Sequence, residues 1–156
     1  MNIRIEAFEH PFNSKIPLKY TCDGDEVSPE IVWSDAQEGT QNFAIAMLSL
    51  DDPKTNPQTP PVLWMVYNIP SEVNEIKTGE LPPKALVGTN DLGKTKYTGP
   101  CPFPGPDHQR YEVRLYALNR LLDLENGVNS STFFDAIKDH ILEEVSIIGT
   151  YERYKK

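Results

Sequence analysis

"GPCPFPGPDHQRYEVRLYAL", residues 99–118, changes character half-way along. Pro100, Pro102, Pro104 and Pro106 occupy every second position of its first half, and proline has no N–H to give to a sheet. The second half alternates. Tyr111, Val113, Leu115 and Ala117 make an apolar face, while His108, Arg110, Glu112 and Arg114 make a charged one. Gln109 falls on the apolar side, so it is the inward residue beside the proline loop unless a bulge shifts the register. A stiff loop lining a pocket explains the pattern, and so does a stop at an edge strand.

Working outward, other runs read as strands. "IRIEAF" (Ile3–Phe8) alternates, and "EIVWS" (Glu30–Ser34) is short with β-branched and aromatic residues. "NFAIAMLSL" (Asn42–Leu50) and "VLWMVYNI" (Val62–Ile69) are apolar at successive positions, which suits central strands buried on both faces. "SIIGTYERY" (Ser146–Tyr154) is a further candidate. The chain has 14 prolines in 156 residues, well above the usual level of about 5%, and they cluster between these runs. "STFFDAIKDHILEEV" (131–145) puts Phe134, Ile137, Ile141 and Val145 on one helical stripe, with Ser131 or Thr132 as cap and His140 on the helix. Many strands, proline-rich connections and one late helix predict a mainly β fold, a β-sandwich in a single domain over residues 1–156.

The net charge of -8, from 15 basic and 23 acidic residues, argues against nucleic acid and anionic membrane surfaces as partners. The first residues alternate and carry charge, unlike a signal peptide or membrane span, so cytoplasm is the expected compartment. There Cys22 and Cys101 are expected to be reduced thiols. Were they to meet in space, a bridge would contribute about 4 kcal/mol in the chain-entropy model.

Motifs of the common enzyme classes are missing: no G-x-S-x-G, P-loop, G-x-G-x-x-G or H-E-x-x-H occurs. His10, His108 and His140 are far apart without ligand spacing, so no metal or cofactor is expected. Asp51 and Asp52 would point to opposite faces of an extended segment, a poor shared-proton pair. They read as turn residues before Pro53. The expectation is a protein that is not an enzyme.

"YTCDGDEVSPEIVWS", "LDDP", "LWMVYNIP", "NDLGKTKYTGPCPFPG", "RYEVRLYAL" and "IIGTY" occur in order between Ile16 and Tyr151. Together they resemble the phosphatidylethanolamine-binding protein family, in its bacterial and archaeal Raf kinase inhibitor-like branch. The resemblance implies a Greek-key β-sandwich of antiparallel sheets with a C-terminal helix. At one end it implies a small pocket for phosphate-like or headgroup-like ligands. Family members are lipid-headgroup binders and inhibitors of kinases or proteases, and no shared reaction defines them.

Carried over by motif, Asp52, Trp64, Arg110 and Tyr111 are retained pocket positions, and Pro100 and Cys101 belong to the adjoining loop. Three positions depart from the pattern. Lys54 stands where the family has a second aspartate, Leu63 where it has the strand histidine, and Gln109 where it has another histidine, with His108 one place early. An anion beside Asp52 would then face a carboxylate with no imidazolium to balance it. Like charges about 4 Å apart repel by roughly 4 kcal/mol at an effective dielectric near ~20. The implied function is a small-ligand binding protein with a modified anion pocket; the alternative is a kinase- or protease-directed regulator with a vestigial one. The resemblance also places Cys22 and Cys101 near each other at the pocket rim.

Overall fold

The computed structural model describes residues 3–8, 14–51, 60–102 and 109–153. The two long apolar runs become β4 (Asn42–Ser49), buried at all eight positions, and β5 (Val62–Pro70). They pair antiparallel, and β4 pairs on its other side with β8 (Gln109–Leu118). With β2 (Ser14–Lys15), β9 (Ile141–Tyr151) and β7 (Leu86–Val87), they form a six-stranded sheet ordered β2-β9-β8-β4-β5-β7. The β2–β9 contact is a short parallel pairing; the other ladders are antiparallel. A second sheet of three strands holds β1 (Arg4–Ala7), β3 (Ile31–Ser34) and β6 (Glu75–Ile76) in the order β1-β3-β6.

Each face of the large sheet has its own core. Between the sheets lie Ile5, Trp33, Phe43, Ile45, Trp64, Tyr111, Val113 and Leu115 among others, with the Trp33 and Phe43 rings 5.3 Å apart. The opposite face carries Ala46, Leu48, Met65, Tyr67 and Tyr116, covered by Phe133 and Ile137 of α1 (Ser130–Ile137). Phe133 is fully buried, with ring centroids 5.8 Å from Tyr67 and 6.4 Å from Tyr116. Burial on both faces accounts for the unbroken hydrophobicity of β4. The mainly β sandwich with one helix in the C-terminal quarter is the predicted class.

The helix differs from its expected extent. It stops at Ile137, and Ile141 and Val145 belong to β9, paired with Leu118 and Leu115. His140 lies in the turn between them. Phe133, rather than Phe134, is the fully buried aromatic. Asn129 is the cap, its Oδ1 accepting the Thr132 N–H at 2.9 Å, in place of Ser131 or Thr132. β8 lies between β9 and β4, so the proline run before it does not terminate an edge strand.

Candidate functional site

One end of the large sheet gathers the positions singled out above. β4 and β9 finish there, and β5 and β8 begin there. Met47 faces Trp64 on one side and Val113 on the other; Ser49 faces Tyr111, and Gln109 faces Tyr151. The β8–β9 register is unbroken from Gln109 to Ala117, so Gln109 stays on the Tyr111 face, half-buried. Asp52 and His108 lie outside the described residues, as do Phe103 and Gly105.

Leu63 owes its place to a bulge. Met47 pairs with Trp64 but Leu48 pairs with Val62, leaving Leu63 as the extra residue. Leu63 and its neighbour Trp64 thereby both enter the core between the sheets, at 7% and 1% exposure. The Leu63 carbonyl accepts the Thr98 N–H at 3.2 Å and Asn90 Nδ2 at 3.0 Å. Asn90 also donates to Thr98 Oγ1 at 2.8 Å, so this buried amide pins the segment that leads to Gly99.

Buried aromatic rings, called the floor below, pack behind this end of the sheet. Trp64 meets Tyr97 edge-on at 5.3 Å, and the Tyr97 hydroxyl donates to the Tyr20 carbonyl at 2.7 Å. Burial, and then the charge of Glu26, push the Tyr97 hydroxyl far above the ordinary tyrosine value, so it stays a neutral donor. Tyr20 is fully buried, and its own hydroxyl has no hydrogen-bond partner among the described residues. Gly99 crosses so close that a Cβ there would lie 2.3 Å from the Tyr20 carbonyl oxygen. Its N–H donates to Glu26 Oε2 at 3.0 Å.

The rim holds charges that are already partnered. Arg110 lies on the outer side of β8, away from Tyr111. It gives its backbone N–H (2.8 Å), Nε (2.9 Å) and Nη2 (2.8 Å) to the carboxylate of Asp51. The hydrogen bond from the Arg110 side chain holds the Asp51 carboxyl below its ordinary value. Asp23 accepts from the Tyr151 hydroxyl and lies 3.0 Å from Arg153 Nε. Cys22 and Cys101 are bridged, with Cα atoms 5.4 Å apart. The reduced thiols expected of a cytoplasmic chain are therefore replaced by a disulfide, at the place the resemblance implied. The Cys22 N–H donates to the Pro100 carbonyl at 3.1 Å.

Sequence reasoning missed Asp51, which it took for a turn residue, and did not single out Tyr20, Asp23, Tyr97, Tyr151 or Arg153. All five lie inside stretches quoted above, Tyr20 and Asp23 in one and Tyr151 and Arg153 in another, so a signal existed. Asp51 lies inside the quoted "LDDP", but nothing local points to its partner, 59 residues away. Among the described residues no three His, Cys, Asp or Glu side chains come together as metal ligands. No described helix is long and apolar enough to cross a membrane.

This arrangement of bulged β5, aromatic floor and disulfide-tied rim coincides with a family-wide sequence match. The pattern of the phosphatidylethanolamine-binding protein family fits residues 8–152. The chain belongs to that family. A UPF0098 protein of Methanothermobacter thermautotrophicus is 38% identical, covering 98% of this chain and 99% of the relative. Another, from Aquifex aeolicus, is 36% identical over 96% of this chain and 89% of its own length. Among solved structures, a phosphatidylethanolamine-binding protein homologue of Chlamydia trachomatis superposes with TM-score 0.88 at 28% identity, covering 97% and 98% of the two chains. Escherichia coli YbcL, described as a member of the mammalian phosphatidylethanolamine-binding protein family, gives the same TM-score at 22% identity over 97% and 99%, a likeness of fold.

Proposed function

We propose that this member of the phosphatidylethanolamine-binding protein family is a ligand-binding protein without catalysis of its own. Its site takes a small polar ligand with less negative charge than a phosphate. The observation that carries this reading is the state of Arg110. This is the one cation that the family motif supplies among the described residues, and its fork is occupied by Asp51 on the outer side of the strand. Where the family motif has imidazoles, this chain has the buried Leu63 and the half-buried Gln109. The neighbouring hydroxyl of Tyr97 is neutral and its proton is given to the Tyr20 carbonyl, leaving it only acceptor capacity. An amide and phenols recognise uncharged donors and acceptors; an unbalanced anion brought among them would lose its hydration without a countercharge.

Calorimetric titration with inorganic phosphate and phosphoethanolamine, beside ligand-observed NMR of neutral amides and alcohols, tests this. Anion dissociation constants in the millimolar range or weaker, with at least one neutral class binding more tightly, are expected. Micromolar phosphate binding overturns the proposal. Failure of every probe favours the family's other role, regulation of a kinase or protease through the rim.

A further inference from the structure

A cation and a disulfide meet at the rim of the site. Arg153 Nη1 lies 3.6 Å from Cys101 Sγ and donates to the Pro102 carbonyl at 3.3 Å, while Nε lies 3.0 Å from Asp23 Oδ2. Cys101 is exposed and Cys22 is half-buried, so the bridge lies at the surface of the protein. The two bridged segments are also joined without the sulfurs. The Cys22 N–H donates to the Pro100 carbonyl, the Gly99 N–H to Glu26, and the Tyr97 hydroxyl to the Tyr20 carbonyl. Breaking the covalent tie leaves those three bonds to hold the segments together.

We propose that the Cys22–Cys101 disulfide is an exchangeable redox latch on the candidate site, opened by a small thiol of the glutathione class, with Cys101 as the sulfur released first. The thiolate of the reductant attacks Cys22 Sγ. A new S–S bond forms there, the bond to Cys101 breaks, and its electron pair leaves on Cys101 as a thiolate. A second reductant thiolate then attacks the reductant's sulfur in this mixed disulfide and frees Cys22 as a thiolate, which takes a proton from water. Two reductant thiols are oxidised to one disulfide, and the protein's disulfide is reduced to two cysteines.

The guanidinium sets the direction, because a cation beside a sulfur lowers its pKa and a low-pKa thiol leaves faster. The greater exposure of Cys101 would favour attack at that sulfur instead. With Cys22 only half-buried, stabilisation of the leaving charge decides.

Reduction places a negative charge next to Arg153, where it competes with Asp23 for the guanidinium. Asp23 also holds the Tyr151 hydroxyl, and Tyr151 is the β9 partner of Gln109. The change therefore reaches the inward-facing amide. This gating step rests on the ligand-site reading above; the thiol chemistry does not.

The test uses the reduced full chain, alkylated with limiting iodoacetamide across a pH series and mapped by peptide mass. Cys101 should react at least about five-fold faster than Cys22 at pH 7, and Arg153→Gln should slow Cys101 about three-fold and move its profile to higher pH. Exposure alone would not give that Arg153 dependence. Hydrogen exchange on the same sample should show Gln109–Tyr111 and 150–153 losing at least about ten-fold more protection than β4 and β5, whose loss follows the fall in global stability. Cys22 reacting as fast as Cys101, no response to Arg153→Gln, or complete loss of protection in β4 and β5 overturns the latch. A loss around Gln109 no greater than that in β4 and β5 overturns the gating step. No ligand enters either readout, so a failure here is distinguishable from failure of the ligand reading.

Discussion

Asp51 and Arg110, 59 residues apart, are joined by three hydrogen bonds of 2.8–2.9 Å, two from the guanidinium and one from the backbone N–H. The contact fixes the end of β4 against the start of β8, where the site begins. It also turns the arginine outward. A residue that the family motif assigns to ligand binding is in this chain a clamp between the end of β4 and the start of β8.

The clamp has a pH signature. The Asp51 carboxyl is lowered from its ordinary value of 3.8 by its hydrogen bond to Arg110. The unfolded chain therefore takes up its proton before the folded chain does, and the contribution to stability is complete above about 4 and fades as pH falls through the depressed value. Partly exposed pairs contribute about 0–1 kcal/mol, and the added backbone bond brings the expected loss for Asp51→Ala to about 1–2 kcal/mol at pH 7. In urea unfolding, the gap between native protein and Asp51→Ala should narrow steadily below pH 4. A gap that is constant down to pH 2 would contradict the assignment.

The disulfide closes a separation of 79 residues. Chain entropy places its contribution at about 2–5 kcal/mol, so unfolding free energies of oxidised and reduced protein from urea titration should differ by that amount while the reduced form stays folded at 25 °C. Coincident midpoints would show that the bridge does not constrain the unfolded chain.

Gly99→Ala should destabilise sharply. Its Cβ would sit 2.3 Å from the Tyr20 carbonyl oxygen and 3.1 Å from Thr21 Cα, both of them backbone atoms. Overpacking of this kind costs about 1–3 kcal/mol or more, and thermal unfolding should show a fall of several degrees. A neutral substitution would mean that the Tyr20 and Gly99 segments do not meet as described.

The long apolar runs of β4 and β5 and the alternation of β8 were legible because burial on two faces or one leaves a local mark. The helix end was not. Ile141 and Val145 continue the stripe from Ile137 at spacings of four, and they also pair with Leu118 and Leu115 of β8. The long-range ladder decides, helped by the β-branched Val145, Ile147 and Ile148. At the site, Gln109 could be placed inward by counting in twos. Leu63 could not be placed that way, since a bulge interrupts the count, and neither the Asp51–Arg110 pair nor the Asp23–Arg153 pair leaves any short-range pattern.

Tyr97→Phe isolates the aromatic floor. It removes a buried donor from the Tyr20 carbonyl, bonded at 2.7 Å, and should cost about 1–2 kcal/mol in urea unfolding with Trp64 fluorescence altered. No change in either would remove Tyr97 from the floor.

The central claim is that losing imidazoles at two positions relieved this site of its affinity for anions. Phosphate titration of the native chain and of the Leu63→His, Gln109→His double variant at pH 6 and pH 8, each confirmed folded, tests it most directly. The account predicts millimolar or weaker binding by the native chain. In the variant it predicts a gain of about 1–3 kcal/mol, larger at pH 6, where the restored imidazoles are protonated. Micromolar phosphate binding by the native chain, or a folded double variant that binds no better at pH 6, would contradict it.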